Sequence, residues 1–84
     1  MLDELREALK TNNVIIGSKR TIKNLKLGRV KKVIIAKNCP EKIRKDIEYY
    51  AKLSGIEVKE FEGTAKQLGI TCGKPFSIAA LAIK

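Results

Sequence analysis

The sequence predicts an α/β protein, a three-layer α/β/α sandwich folded as a single domain over residues 1–84. Three observations lead there. Stretches with helical apolar spacing alternate along the chain with short runs of strand character. One of those runs, "KKVIIAKN", is apolar at every position from Val33 to Ala36, the pattern of a strand covered by helices on both faces. The length, 84 residues at 44% hydrophobic, suffices for one compact domain but not for two.

In chain order, "LDELREALK" sets Leu2, Leu5 and Leu9 at helical spacing, with acids early and a lysine late as the helix dipole favours. "NVIIG" follows as a short buried strand. Gly17 then gives a tight turn and Ser18 an N-cap for a second helix that runs to about Leu27 and stops at Gly28. "KKVIIAKN" is the second strand. "CPEKIRKDIEYYAKLSG" reads as the third helix: Pro40 suits its first turn, Ile43, Ile47, Tyr50 and Ala51 form an apolar stripe, and Gly55 suits its end. "IEVKEF" alternates as a third strand, "GTAKQLG" is a short helix with Thr64 as cap, "ITCGKP" is a loop, and "FSIAALAIK" is the last strand.

Charge is the strongest compositional signal. The chain carries a net charge of +9. Residues 17–45 hold eleven Lys and Arg against the single acid Glu41, while the rest of the chain is close to neutral. Segregation of this kind differs from the mixed-sign networks of heat-stable proteins, and it points to an anionic partner, nucleic acid first. The acidic stretch Asp46–Glu62 is expected to face away from that partner. Two cysteines, no histidine and no CxxC spacing predict neither a disulfide framework nor a zinc site, and fit a reducing cytoplasm. The charged start and the absence of a long apolar run predict neither export nor a membrane span.

Three places offer binding chemistry. In "GSKRTIK", Lys19, Lys23 and Lys26 fall on one helical stripe opposite Ile22 and Leu25, and Gly17 opens a helix N-terminus suited to phosphate. A plain amphipathic helix would read the same way, and the glycine spacing of a nucleotide-binding phosphate loop is missing. In "AKNCP", Asn38 either turns the chain into the next helix or offers its amide to a base edge. In "GITCGKPFS", Phe76 beside Lys74 is either core or a stacking face for a base. Phosphate positioning, an amide and an aromatic platform suit irregular RNA better than a plain duplex, and no helix-turn-helix pattern is present. An enzymatic reading, a small nucleotide-dependent RNA-modifying domain, lacks a histidine, a clustered acid pair at the strand ends and a phosphate fingerprint.

The runs "GSKRTIKNLKLGRVKKVIIAKN", "DIEYYAKLSGIEVKEFEGTAKQLG" and "GKPF" closely resemble, in order and spacing over nearly the whole chain, the archaeal and eukaryotic large-subunit ribosomal protein thirty-e family. The helix after Gly17 and the Gly/Pro loop are shared with a wider superfamily of kink-turn RNA binders. The resemblance implies a mixed four-stranded sheet and a single kink-turn RNA-binding ribosomal domain. It implies a structural constituent of the large subunit, without catalysis, cofactor or metal, bound to a kinked internal loop of ribosomal RNA. Such a protein would be cytoplasmic, monomeric when free, and open to contact with other ribosomal proteins. A free kink-turn binder acting outside the ribosome or on messenger RNA is the nearest alternative.

Carried over position by position, the RNA-binding residues are Gly17, Ser18, Lys19, Arg20 and Lys23, then Asn38, then Gly73, Lys74, Pro75 and Phe76; Lys26 joins them from the basic stripe. Two departures stand out. Lys19 and Arg20 replace the Asn-Glu pair of the box C/D and large-subunit seven-a type, which shifts weight from base reading toward phosphate charge. The sequence given also closes at Lys84, so contacts made by the family's common carboxyl extension are not carried over.

Overall fold

A computed structural model describes residues 2–84. Eight elements follow one another: α1 (Leu2–Lys10), β1 (Val14–Ile16), α2 (Ser18–Lys26), β2 (Lys32–Ile35), α3 (Glu41–Ser54), β3 (Glu57–Glu60), α4 (Ala65–Thr71) and β4 (Ala80–Ile83). The strands form one mixed sheet in the order β1-β4-β2-β3. β2 and β3 pair in parallel, with Lys32 opposite Glu57, and β4 lies antiparallel between β1 and β2.

This order explains the layers. The β1-α2-β2 and β2-α3-β3 crossovers step across the sheet in the same direction, and right-handed crossovers that do so must place both helices on the same face. Accordingly Leu25 of α2 and Ile47 and Ala51 of α3 pack with Ile15, Val33, Ile35, Ala80 and Ala82. The opposite face holds Leu5 of α1 and Leu68 of α4 against Ile34, Ala36, Ile78 and Leu81. Alternate residues of β2 and β4 therefore serve opposite cores, as the two-residue strand period requires. The three-layer sandwich expected from the sequence is observed. Leu9 packs beside the α1/α4 core, whereas the side chain of Leu2 lies outside the described residues.

Local departures from expectation have local causes. Gly17, not Ser18, occupies the N-cap of α2, so no side chain caps that helix and Ser18 is its first residue. Pro40 likewise sits at the N-cap of α3, one position before the first turn. Helix α4 continues through Ile70 and Thr71, and β4 begins only at Ala80. The backbone before the strand turns to α4 at Ile78, whose N–H donates to the Ala65 carbonyl at 2.9 Å, and it reaches the sheet at Ala79, whose carbonyl accepts from Ala36 N–H at 2.8 Å. Thr64 does cap α4, accepting from Gln67 N–H while the Gln67 side chain accepts from Thr64 N–H.

One carboxylate, Glu57, meets two lysines at the end of the sheet where β2 and β3 begin. The Lys59 hydrogen bond, followed by the charges of Lys32 and Lys59, holds the Glu57 carboxyl below its usual range. A depressed carboxylate stabilises the fold above its unfolded pKa, and the contribution is lost as pH falls through the folded value. Glu60, at the other end of β3, is instead bound by Arg44 at 3.3 Å.

Thr21 is wholly buried, and its hydroxyl has no hydrogen-bond partner. A buried, unsatisfied hydroxyl costs about 1–3 kcal/mol, and valine has nearly the same shape. Thr21→Val is expected to raise the midpoint of thermal unfolding by several degrees, about 4–8 °C per kcal/mol gained in a domain of this size. An unchanged or lower melting temperature in calorimetry would contradict this.

Candidate nucleic-acid interface

The carboxyl ends of β1, β2 and β3 and the amino end of β4 share one edge of the sheet. That edge gathers the turn at Gly17, the turn at residues 37–39, and the segment leading from α4 into β4. Between the first and third of these runs an open groove of about 600 Å³. Ile16, Gly17, Ser18 and Arg20 form one wall, and Lys74 with residues 76–79 the other.

Gly17 has φ 112° and ψ 142°, a region essentially closed to residues with a Cβ. An added Cβ there would meet no atom within 4 Å, so the restriction is torsional and the space above the turn is open to a ligand. Its N–H donates to the Ala80 carbonyl at 3.2 Å and its carbonyl accepts from Thr21 N–H at 2.9 Å, which ties the start of α2 to β4. Helix α2 then buries Thr21 and Leu25 and leaves Lys19, Arg20 and Lys23 in solvent. Lys26 belongs to a different neighbourhood: its ammonium stands 4.9 Å from the centre of the Tyr50 ring on α3, two turns from the groove.

Phe76 is 54% exposed, which removes the core reading of this residue, and it lies on the groove wall beside Lys74. Its backbone is placed by two glycines. Gly73, at φ 70°, ends α4 with its N–H donating to the Ile70 carbonyl and Lys74 N–H donating to Gly69, both at 2.9 Å. This paired closure needs the left-handed conformation. Gly69 lies directly under Phe76, and a Cβ on it would overlap the Phe76 carbonyl oxygen. Pro75 continues the same segment on the outer side of Phe76.

Asn38 is exposed, but its side-chain carbonyl is already committed, accepting from Ala65 N–H at 2.7 Å at the start of α4. It thus joins the β2 turn to α4. Arg44 fixes the same turn from α3, donating to the Lys37 carbonyl at 3.2 Å and to Glu60 at 3.3 Å. Sequence reading missed both Gly69 and Arg44. Gly69 stood within the quoted "KQLG", yet nothing in spacing alone says that a backbone crosses it.

The edge carries a gradient of charge. Its β1 end holds Lys19, Arg20, Lys23 and Lys74, and its β3 end holds Glu60 and Glu62 beside Lys37. The expectation that Asp46–Glu62 faces wholly away therefore needs correction at its last residues, because β3 runs parallel to β2 and delivers Glu60 to the same edge. Cys39 and Cys72 pack in cores on opposite faces of the sheet, and burial pushes both thiols up. Among the described residues no group of three or more His, Cys, Asp or Glu is arranged to hold a metal, and no helix is long and apolar enough to cross a membrane.

The chain folds as a mixed α/β/α sandwich with a basic, aromatic-rimmed groove at its strand ends, and its sequence places it in one family, to which it belongs. Residues 1–84 match the family described as Ribosomal protein L7Ae/L30e/S12e/Gadd45. The chain is 58% identical over 80 residues to the large ribosomal subunit protein eL30 of Methanothermobacter thermautotrophicus, a match covering 95% of this chain and 82% of that protein. Among solved structures, a Bacillus halodurans protein of unknown function superposes with a TM-score of 0.88 at 23% identity, covering 99% of this chain and 82% of that one. The Giardia lamblia 15.5kD RNA binding protein superposes at 0.81 with 18% identity, covering 98% and 68%.

The two residues at the contact under the groove wall should respond unequally to substitution. Gly69→Ala forces backbone apart and should cost about 1–3 kcal/mol of stability in denaturant titration. Phe76→Ala removes an exposed ring and should change stability by no more than about 0.5 kcal/mol. A reversed order would mean that Phe76, not Gly69, holds the loop.

Proposed function

We propose that this chain is a structural, non-catalytic constituent of the large ribosomal subunit that binds a kinked internal loop of ribosomal RNA in the cytoplasm, without a cofactor and as a monomer before assembly. Membership of the family and the eL30 name of its Methanothermobacter relative support the ribosomal role. The observation that carries the RNA reading is the groove between the Gly17 turn and Phe76. It presents cations, open backbone amides and an exposed aromatic ring within one concavity.

Each part has a distinct task. Gly17 and Ser18 let a phosphate approach the uncapped start of α2, where free N–H groups and the helix dipole favour negative charge. Lys19, Arg20 and Lys23 neutralise neighbouring phosphates, and Arg20, on the groove wall, is also placed to address a guanine edge. Gly73, Lys74 and Pro75 present Phe76 as a platform for an unstacked base. Asn38 offers its NH₂ group as a donor to a base or ribose. Lys26 acts one layer further back, holding α2 against α3 through Tyr50. A regular duplex keeps its bases stacked and has nothing to place on Phe76, whereas a kinked internal loop exposes bases for such a surface.

Titration of RNA against the protein at several salt concentrations tests this directly. Lys23→Ala should reduce the slope of log K against log salt by about one for every RNA, since one phosphate contact is lost. Phe76→Ala should cost about 1–3 kcal/mol on a kinked RNA and less on a plain duplex. Equal losses on both RNAs would refute the stacking role. The protein should also co-sediment with large subunits in high salt, and recovery only in the unbound pool would refute the ribosomal assignment in favour of a free RNA binder.

A further inference from the structure

Phe76 borders a second concavity on its far side. Lys66, Ile70, Lys74, Pro75, Phe76 and Ser77 line an open groove of about 260 Å³, and three of these, Lys74, Phe76 and Ser77, also line the larger groove. Phe76 is therefore the ridge between two adjoining hollows.

The new wall comes from α4. Leu68 and Cys72 turn toward the sheet, while Lys66 and Ile70, four residues apart, share the strip facing the loop. Ile70 is 66% exposed. A single exposed isoleucine means little, but this one adjoins exposed Pro75 and Phe76 in a continuous apolar surface flanked by two lysines. Among the described residues no carboxylate lines the groove. An apolar floor with cations at its rim suits a nucleobase with its phosphate, and continuity across Phe76 means that a strand leaving the first groove arrives here.

We propose that this second groove takes an additional unpaired nucleotide of the same RNA, its base against Ile70 and the outer side of Phe76 and its phosphate near Lys66, so that the Phe76 ring is covered from both sides. The inference rests on the RNA-binding reading above and extends it to residues of α4.

The test uses the full chain and two kinked RNAs, identical except that one lacks a single unpaired nucleotide beside the base assigned to Phe76. Ile70→Ser, an exposed substitution whose fold is checked by its melting temperature, should weaken the longer RNA about fivefold to tenfold and leave the shorter one unchanged. Lys66→Gln should reduce the salt slope by about one on the longer RNA only. If both variants bind both RNAs as the unaltered protein does, while Phe76→Ala still discriminates kinked from duplex RNA, the second groove is unused and the parent reading stands. Loss of binding to an acidic peptide instead, with RNA affinity untouched, would assign the groove to a protein and overturn the inference. If the unaltered protein binds kinked and duplex RNA equally, the parent reading fails and this inference with it.

Discussion

The antiparallel insertion of β4 between β1 and β2 is the constraint on which the rest of the structure depends. Without it the two parallel strands would be neighbours and their carboxyl ends would meet. With it, the segment before β4 must emerge at that same edge, between the Gly17 turn and the β2 turn. Both cores also need this strand: Ala80 and Ala82 face α2 and α3, and Leu81 faces α1 and α4. The small residues lie on the side that receives α2, which lets that helix sit close over β4 while its start stays pinned through Gly17. The groove is thus a product of strand order before it is a product of any particular side chain.

Charge is distributed over this scaffold unevenly and with a physical logic. Several carboxylates of α3 and β3 are engaged within the protein, Glu41 with Lys45, Glu57 with Lys32 and Lys59, and Glu60 with Arg44. Their carboxylates are more than half exposed, and pairs so open to water contribute little to stability. Their larger effect is to use up negative charge on one side and leave the cations of α2 and the α4-β4 segment uncompensated on the other. Repulsion among those cations disfavours the compact state until an anion relieves it, so folding and binding draw on the same excess of charge.

Much of this was legible in the sequence because it depends on local periodicity. All eight elements follow from apolar spacing and from Gly and Pro punctuation, and Thr64, read as a cap, does cap α4. The family followed from motifs spread along the chain. Sheet order was not legible, since pairing of β4 with β1 and β2 joins residues that no local pattern connects. The same limit hid Gly69, whose role exists only where a loop crosses α4, and Arg44, whose acceptors lie on β2 and β3. Asn38 does more than turn the chain locally: its side-chain oxygen links the β2 turn to the start of α4, a partner that no local pattern names. Lys26 shows the same, a residue placed correctly on its helix yet facing a tyrosine that helical spacing within α2 could not reveal.

The central strand is also the one made after the other three. A chain emerging in synthesis order exposes the bare flanks of β1 and β2, and neither hydrophobic layer can close, until residues 80–83 arrive. Forming the sheet then requires pairings as distant as Val14 with Ile83, a slow closure for so short a polypeptide. The segment bearing Phe76 is fixed in the same event. A half-made chain therefore lacks both its interior and the groove between the Gly17 turn and Phe76, and the two are acquired together.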